Sequence, residues 1–211
     1  MNKESKNNMI EELAKAPNSK KLPAIWLRWA QWLIISCCLV MAGIAVLGMK
    51  HSFTSLLSMW DKVIEMLALT ILTIVASFNA FILSIPGEET RFRRRTIKFL
   101  VAGIGSLLLL EYYFLQLSPI PVGIHFGCVM DILILGIPSA LLLFFMLSKS
   151  ANTFPKWSGY LACIASFSLA AMGSRYTCMD ISSIHFLVWH FFPVVILGWI
   201  GFGLGQKVLK F

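Results

Sequence analysis

The chain has 211 residues, of which 58% are hydrophobic and 13% are charged, and its formal net charge is +8. A soluble domain carries about 25% charged residues and hides its apolar side chains in one core, so this composition excludes an ordinary soluble domain. Runs of roughly 20 apolar residues recur along the chain, and each is long enough to cross a hydrocarbon layer of about 30 Å as a helix. The sequence therefore predicts an all-α, polytopic membrane protein whose solvent is the lipid bilayer.

The apolar runs divide the chain into a polar tail at residues 1–24, a transmembrane domain at 25–206 and a basic end at 207–211. Because about 24 polar residues precede the first run, we expect that run to be a retained anchor rather than a cleaved signal. We predict six transmembrane helices, at residues 25–47, 63–85, 97–117, 127–147, 157–173 and 184–204.

The tail contains one short helical pattern. Met9, Ile10 and Leu13 would share a face of a helix that Pro17 stops. A helix this short is marginal alone, so we expect it to fold onto a partner. The partner is either a cytoplasmic protein or the membrane surface.

The basic residues indicate the orientation of the predicted helices. With six spans, both chain ends, the second loop and the fourth loop share one side, which holds all but three of the 18 Lys and Arg residues. The exceptions are Lys50, Lys62 and Arg175. The positive-inside rule then predicts that both termini are cytoplasmic, and the charge needs no nucleic-acid partner to explain it. We expect Trp26, Trp29 and Trp32 to form an aromatic belt at the inner interface.

Catalytic motifs are absent from the sequence, which contains no GxSxG, no HExxH, no P-loop and no GxGxxG that opens a soluble helix. We therefore expect no enzymatic activity and no resident cofactor. Gly201 and Gly205, four residues apart in the last span, indicate close helix packing.

Soft and titratable side chains collect toward the predicted outer side. Thiolate and imidazole are the ligands of soft and borderline metal ions, and thiols are also the groups that oxidants attack. The candidate pair is Cys128, at the outer start of the fourth span, and Cys178, in the last outer loop. Three interpretations remain open, namely a structural disulfide, a redox- or metal-responsive pair, and two unpaired thiols. If a transient heavy-metal ion binds there, the candidate ligands are Cys128, Cys178, His125 and His185.

The remaining cysteines, Cys37, Cys38 and Cys163, lie within spans and are interpreted as packing residues. Three further polar residues lie within or near the spans: Glu111, Asp131 and His190. Ionisable groups are costly in lipid and often functional, so a competing hypothesis is a small transporter or permease subunit with these three along a polar path. A simpler interpretation of Glu111 is a pair with Arg175, or snorkelling toward the surface. The chain shows no internal repeat of the kind that divides transporters into inverted halves.

Three segments carry a family resemblance: the tail at 9–17 leading into Trp26, the outer Cys128, and the ending from Cys178 through Trp189-His190 to the basic carboxyl terminus. In these segments the chain resembles the NrsF-like anti-sigma factors. These are six-helix proteins of the bacterial inner membrane that restrain an extracytoplasmic-function sigma factor. The resemblance implies that Cys128 and Cys178 sense heavy-metal or oxidative stress while cytoplasmic segments hold the sigma factor. It assigns no role to Trp189-His190.

With that resemblance, the prediction is a membrane-embedded anti-sigma factor rather than an enzyme. Its partner would be an extracytoplasmic-function sigma factor, bound in part through Met9, Ile10 and Leu13.

Overall fold

The computed structural model describes residues 23–52, 54, 55, 59–84, 126–150, 152–180 and 182–209, and this part of the chain is helical without a strand. The all-α class is therefore confirmed. The elements are α1 (Ile25–Leu47), α2 (Trp60–Ile82), α3 (Phe126–Ser148), α4 (Pro155–Thr177), α5 (Ser183–Phe186), a π-helical turn (Leu187–Phe191) and α6 (Phe192–Val208).

Five of the six predicted spans correspond to helices, while the third, at 97–117, lies outside the described residues. The first span has the predicted ends, whereas α2 begins three residues before the predicted start at 63. Each of the first four helices has 23 residues, or about 34 Å at a rise of 1.5 Å per residue. Four stretches are long and apolar enough to cross a membrane: α1, α3, most of α2, and the continuous run Ser183–Val208.

α4 is not among these four apolar stretches, and it lies at the centre of the bundle. It packs against α1, α2, α3 and α6, and most of its side chains are buried. Because other helices surround it, α4 can carry serine and glycine where a lipid-facing helix would carry leucine. This explains why the apolar pattern predicted only 157–173 and missed the last turn, which carries Arg175 and Thr177.

α4 and α6 cross where three glycines meet. A Cβ atom added at Gly159 would collide with the backbone of Gly201 and would lie 2.6 Å from Cα of Gly205. A Cβ added at Gly201 would lie 2.5 Å from Sγ of Cys163. The close packing predicted for Gly201 and Gly205 is confirmed, and Cys163 is a packing residue as expected.

Replacing Gly159 by alanine is expected to lower the melting temperature, because backbone rather than a flexible side chain occupies the space. Overpacking costs about 1–3 kcal/mol, and about 2–4 °C is lost per kcal/mol in a chain of this size, so a drop of roughly 2–12 °C should appear in thermal unfolding in detergent. The matched control is Gly203→Ala, because a Cβ there meets nothing within 4 Å. Equal melting temperatures for the two variants would contradict close contact at this crossing.

α1 and α4 run toward one end of the bundle, whereas α2, α3 and α6 run toward the other, and the two ends differ chemically. The end of α1 meets the end of α4, where the Lys50 amide donates to the Tyr176 carbonyl at 2.7 Å. We call this end the cysteine end, because Cys128 and Cys178 lie there. The opposite end, the basic end, contains the start of α1, the ends of α3 and α6, and the start of α4. Its basic residues are Arg28, Lys149, Lys156 and Lys207.

The aromatic-belt prediction was wrong for Trp32. This side chain is fully buried, and its indole Nε1 donates to the Ser139 carbonyl of α3 at 3.1 Å. Trp26 is 65% exposed, as a belt residue should be. Near the basic end, Arg28 is also buried and donates to the Met146 carbonyl. α1 therefore directs polar groups into the bundle as well as apolar groups outward.

Candidate functional site: a buried Cys–His cluster

Four side chains from three parts of the chain meet at the cysteine end. Cys128 comes from the first turn of α3, Cys178 directly follows α4, His185 lies in α5 and His190 lies in the π-helical turn. All four are buried, and their donor atoms lie within 4.8 Å of one another. We call this group the Cys–His cluster.

The two sulfur atoms are at the middle of the cluster. Sγ of Cys128 lies 3.0 Å from Sγ of Cys178, and both cysteines are free thiols. Nε2 of His185 lies 3.3 Å from the first sulfur and 3.2 Å from the second. One imidazole nitrogen thus faces both thiols.

The π-helical turn brings His190 to the same site. Residues five apart in an α-helix point about 140° away from each other, so an unbroken α-helix would direct His185 and His190 to different faces. The amide of Phe192 instead bonds to the Leu187 carbonyl, five residues back. The two imidazole rings therefore approach to 5.3 Å between centroids. Pro193 follows the turn and cannot donate a backbone hydrogen bond, which favours this local change of winding.

Each imidazole of the cluster has a polar partner at its Nδ1 atom. Nδ1 of His190 lies 2.7 Å from Oγ of Ser174, on the last turns of α4. Nδ1 of His185 lies 3.4 Å from Oδ2 of Asp180. With Nδ1 engaged in this way, Nε2 of both rings is directed toward the cluster.

Hydrogen bonds in the α4–α5 connection favour the anionic forms of the two acidic groups beside the imidazoles, Cys178 and Asp180. The hydrogen bond with Cys128 lowers the pKa of the Cys178 thiol, and the hydrogen bond with His185 lowers it further. Burial raises this pKa by less, so it lies below its usual value. Burial raises the pKa of Asp180, but its polar surroundings, chiefly the hydrogen bond that the backbone amide of Ser182 donates to Oδ1, lower it by more. The lowered pKa of Cys178 favours its thiolate, which is the form of a cysteine that binds metals and attacks oxidants.

A second buried group adjoins the Cys–His cluster. Glu65 of α2 accepts from Lys62 at 2.8 Å and from Arg175 of α4 at 2.7 Å. Ser183, at the start of α5, lies 3.0 Å from both Glu65 and Lys62. These four residues, named the ionic cluster, join α2, α4 and α5. Arg175 directly follows Ser174, which contacts His190, and Ser183 precedes His185 by two residues. The same two chain segments therefore carry residues of both clusters.

Comparison with known families adds the regulatory context. A family model described as NrsF, negative regulator of sigma F, matches residues 13–211. The chain belongs to the NrsF family. No curated protein and no solved structure matches it. As an NrsF member the chain is a negative regulator of a sigma factor, so its protein partner is a sigma factor.

The positions of the predicted site residues in this NrsF chain fall into three groups. The structure brings Cys128, Cys178 and His185 together and adds His190, which had been assigned to a polar path instead. Asp131 lies beside the cluster and accepts from Oγ1 of Thr177 at 2.6 Å. The others lie outside the described residues: Met9, Ile10, Leu13, Glu111 and His125.

The structure bears on the transporter hypothesis through two of its three residues. Asp131 bonds to Thr177, and His190 bonds to Ser174, one turn earlier in α4. Both therefore lie at the cysteine end rather than along the length of the bundle. Arg175, proposed as a partner of Glu111, forms an ion pair with Glu65. Together with membership of the NrsF family, this favours a regulator.

Sequence reasoning missed Glu65, Ser174 and Ser183. Glu65 had a usable signal, since a carboxylate inside an apolar span with a lysine three residues earlier indicates a buried pair. Ser174 and Ser183 had none, because serine is common in buried helices and only the tertiary contacts reveal a partner.

Proposed function

We propose that this chain is a six-helix anti-sigma factor of the bacterial inner membrane, with both termini in the cytoplasm. It sequesters an extracytoplasmic-function sigma factor and releases it when Cys128 and Cys178 react with heavy-metal ions or oxidants on the outer side. NrsF membership supports the regulatory part. The approach of the two thiols to 3.0 Å is the observation that carries the sensing part.

The distribution of charge supports this orientation. Lys149, Lys156 and Lys207 lie at the basic end, as expected for the cytoplasmic side. The end of α2 is also there, since Oγ1 of Thr153 contacts the Leu83 carbonyl, whereas α3 starts at the cysteine end. A further crossing between α2 and α3 fits this arrangement and supports six spans.

Two chemical events can occur at the cysteine pair. A divalent heavy-metal ion can bind both sulfurs as thiolates, which displaces two protons. Hydrogen peroxide can instead accept two electrons and two protons from the thiols, which yields one disulfide and two waters. Either event changes the distance between the start of α3 and the end of α4.

The ionic cluster offers a route from this event to the cytoplasmic side. A shift of the α4–α5 connection moves Ser183 and Arg175, and both contact Glu65 of α2. α2 and α4 extend to the basic end, where the sigma factor would bind. A nearly complete switch requires the stimulus to favour the releasing state by on the order of 5 kcal/mol.

The regulatory part is tested by capture of the sigma factor on the solubilised chain, with and without residues 1–22. We expect the full chain to retain the sigma factor and the truncated chain to lose it, because the truncation removes the predicted apolar face of Met9, Ile10 and Leu13. Interface anchors contribute about 2 kcal/mol each, so loss of all three should weaken binding on the order of 10⁴-fold. The bound fraction is measured by quantitative mass spectrometry of reduced samples.

A point variant separates the apolar face from the rest of the tail. Ile10→Asp together with Leu13→Asp should abolish capture, whereas Asn7→Asp, which adds a charge without removing an apolar side chain, should not. Equal capture by the truncated chain would transfer docking to the loops at the basic end. Absence of sigma factor from the folded full chain would overturn the proposal.

A further inference from the structure

We propose that Cys128, Cys178, His185 and His190 form a four-coordinate site for a soft or borderline divalent cation such as Zn²⁺ or Cd²⁺, with both imidazoles as direct ligands. This inference deepens the proposed function and rests on it for its biological meaning. It assigns to the histidines a role that the two-cysteine sensor does not require.

The distances within the Cys–His cluster suit such a site. Tetrahedral Zn²⁺ has Zn–S bonds of about 2.3 Å and Zn–N bonds of about 2.0–2.1 Å, which places its donor atoms roughly 3.3–3.8 Å apart. The sulfurs lie 3.0 Å apart, and Nε2 of His185 lies 3.2 and 3.3 Å from them. For these three atoms insertion of the ion requires a spread of less than about 1 Å, while the donor atom of His190, which lies within 4.8 Å of the others, has to approach.

The hydrogen bonding of Ser174 fixes which nitrogen of His190 carries the proton. The Ser174 hydroxyl donates to the Ala171 carbonyl at 2.9 Å, so its oxygen accepts from Nδ1–H of His190 at 2.7 Å. Nε2 then carries a lone pair. This Nε2 is buried and has no hydrogen-bond partner within the described part of the chain. A buried nitrogen lone pair next to two thiols is the arrangement expected of a metal ligand in the absence of the ion.

His185 has the corresponding outer partner. The Asp180 carboxylate lies 3.4 Å from Nδ1, which resembles the carboxylate–histidine–metal arrangement that orients imidazole ligands in zinc sites. Charge also balances, because two thiolates neutralise a divalent ion and the two thiol protons leave as it binds. A neutral complex suits a site whose four ligands are all buried.

The test is titration of Cd²⁺ into the reduced, purified full-length chain in detergent. Ultraviolet thiolate-to-cadmium charge transfer reports the sulfur ligands, and competition with a chelator gives stoichiometry and affinity. We expect one ion per chain. His185→Gln and His190→Gln should each lower the affinity by about 100-fold, and Asp180→Asn by about 10-fold, since loss of an outer partner typically costs 10–100-fold.

Asp131→Asn is the matched control for Asp180→Asn, because its carboxylate bonds to Thr177 rather than to an imidazole. Size-exclusion elution and sigma-factor capture confirm that each variant is folded. Asp180→Asn keeps the test valid if a histidine variant does not fold, because the Asp180 side chain is 34% exposed.

Equal affinity of the wild type, the folded histidine variants and Asp180→Asn would overturn the four-ligand site and leave a two-cysteine sensor. Absence of a charge-transfer band in the folded wild type would also overturn it, while sigma release by peroxide in the same preparation would preserve the proposed function. Tight binding through all four residues without sigma release would support the site and overturn the metal-sensing part of the proposed function.

Discussion

A chain that carries Cys128→Ser and Cys178→Ser together is expected to hold its sigma factor permanently. A sigma-dependent reporter should then stay at its basal level under cadmium or peroxide, because serine oxygen neither binds soft ions well nor forms a disulfide. Membrane insertion should be unchanged, since the helical spans do not depend on these two atoms. The measurement is reporter activity over a range of stimulus concentrations, with the amount of the regulator checked by immunoblot.

Two cysteines outside the Cys–His cluster serve as the control for this experiment. Cys37 and Cys38 are exposed on α1, away from the Cys–His cluster, so their replacement by serine should leave induction intact. Each single variant at Cys128 or Cys178 should lose most of the response, because both events proposed for the site need two sulfurs. Normal induction in the double variant would remove the sensing role from this pair.

Replacing Glu65 by glutamine is expected to destabilise the fold more than any other single change considered. Its carboxylate binds Lys62 and Arg175, and all three side chains are less than 5% exposed. Breaking a buried ion pair from one side costs about 3–5 kcal/mol, because a buried cation loses its counter-charge. At about 2–4 °C per kcal/mol, the melting temperature should fall by roughly 6–20 °C in detergent.

A double variant tests the physical reason for this loss. Adding Lys62→Met to Glu65→Gln removes one of the two cations that the carboxylate neutralises, so part of the lost stability should return. Lys207→Gln removes an exposed charge from the basic end and should change the melting temperature little. If the melting temperatures of Glu65→Gln and the wild type are equal, the ionic cluster does not hold α2, α4 and α5 together.

The fold class and most helix positions were predictable because they depend on local composition. An apolar run in lipid has to satisfy its backbone hydrogen bonds internally, so it becomes a helix wherever it occurs. The first span illustrates this, since its predicted ends agree with α1. α4 illustrates the limit, because protein surrounds it and its sequence is free to be less apolar. Its last turn, which carries Arg175, was therefore missed.

The candidate site was predictable only in part. Cys128, Cys178 and His185 were suspected because soft ligands are rare and all three fall on one predicted side. His190 was assigned to a polar path as an ionisable group within a span, and five residues of unbroken α-helix would turn it away from His185. The π-helical turn before Pro193 reverses that geometry.

By itself, the sequence determined the helical form of the spans and the residue types able to bind soft ions, and its composition indicated the lipid bilayer as the solvent. Those properties depend on the chemistry of single segments. Only the tertiary structure decided which buried groups meet, because the Cys–His cluster and the ionic cluster join residues up to 121 positions apart. Helix packing sets such contacts through glycine crossings, buried charge pairs and one change of helical winding, and the apolar pattern of a single span contains none of these.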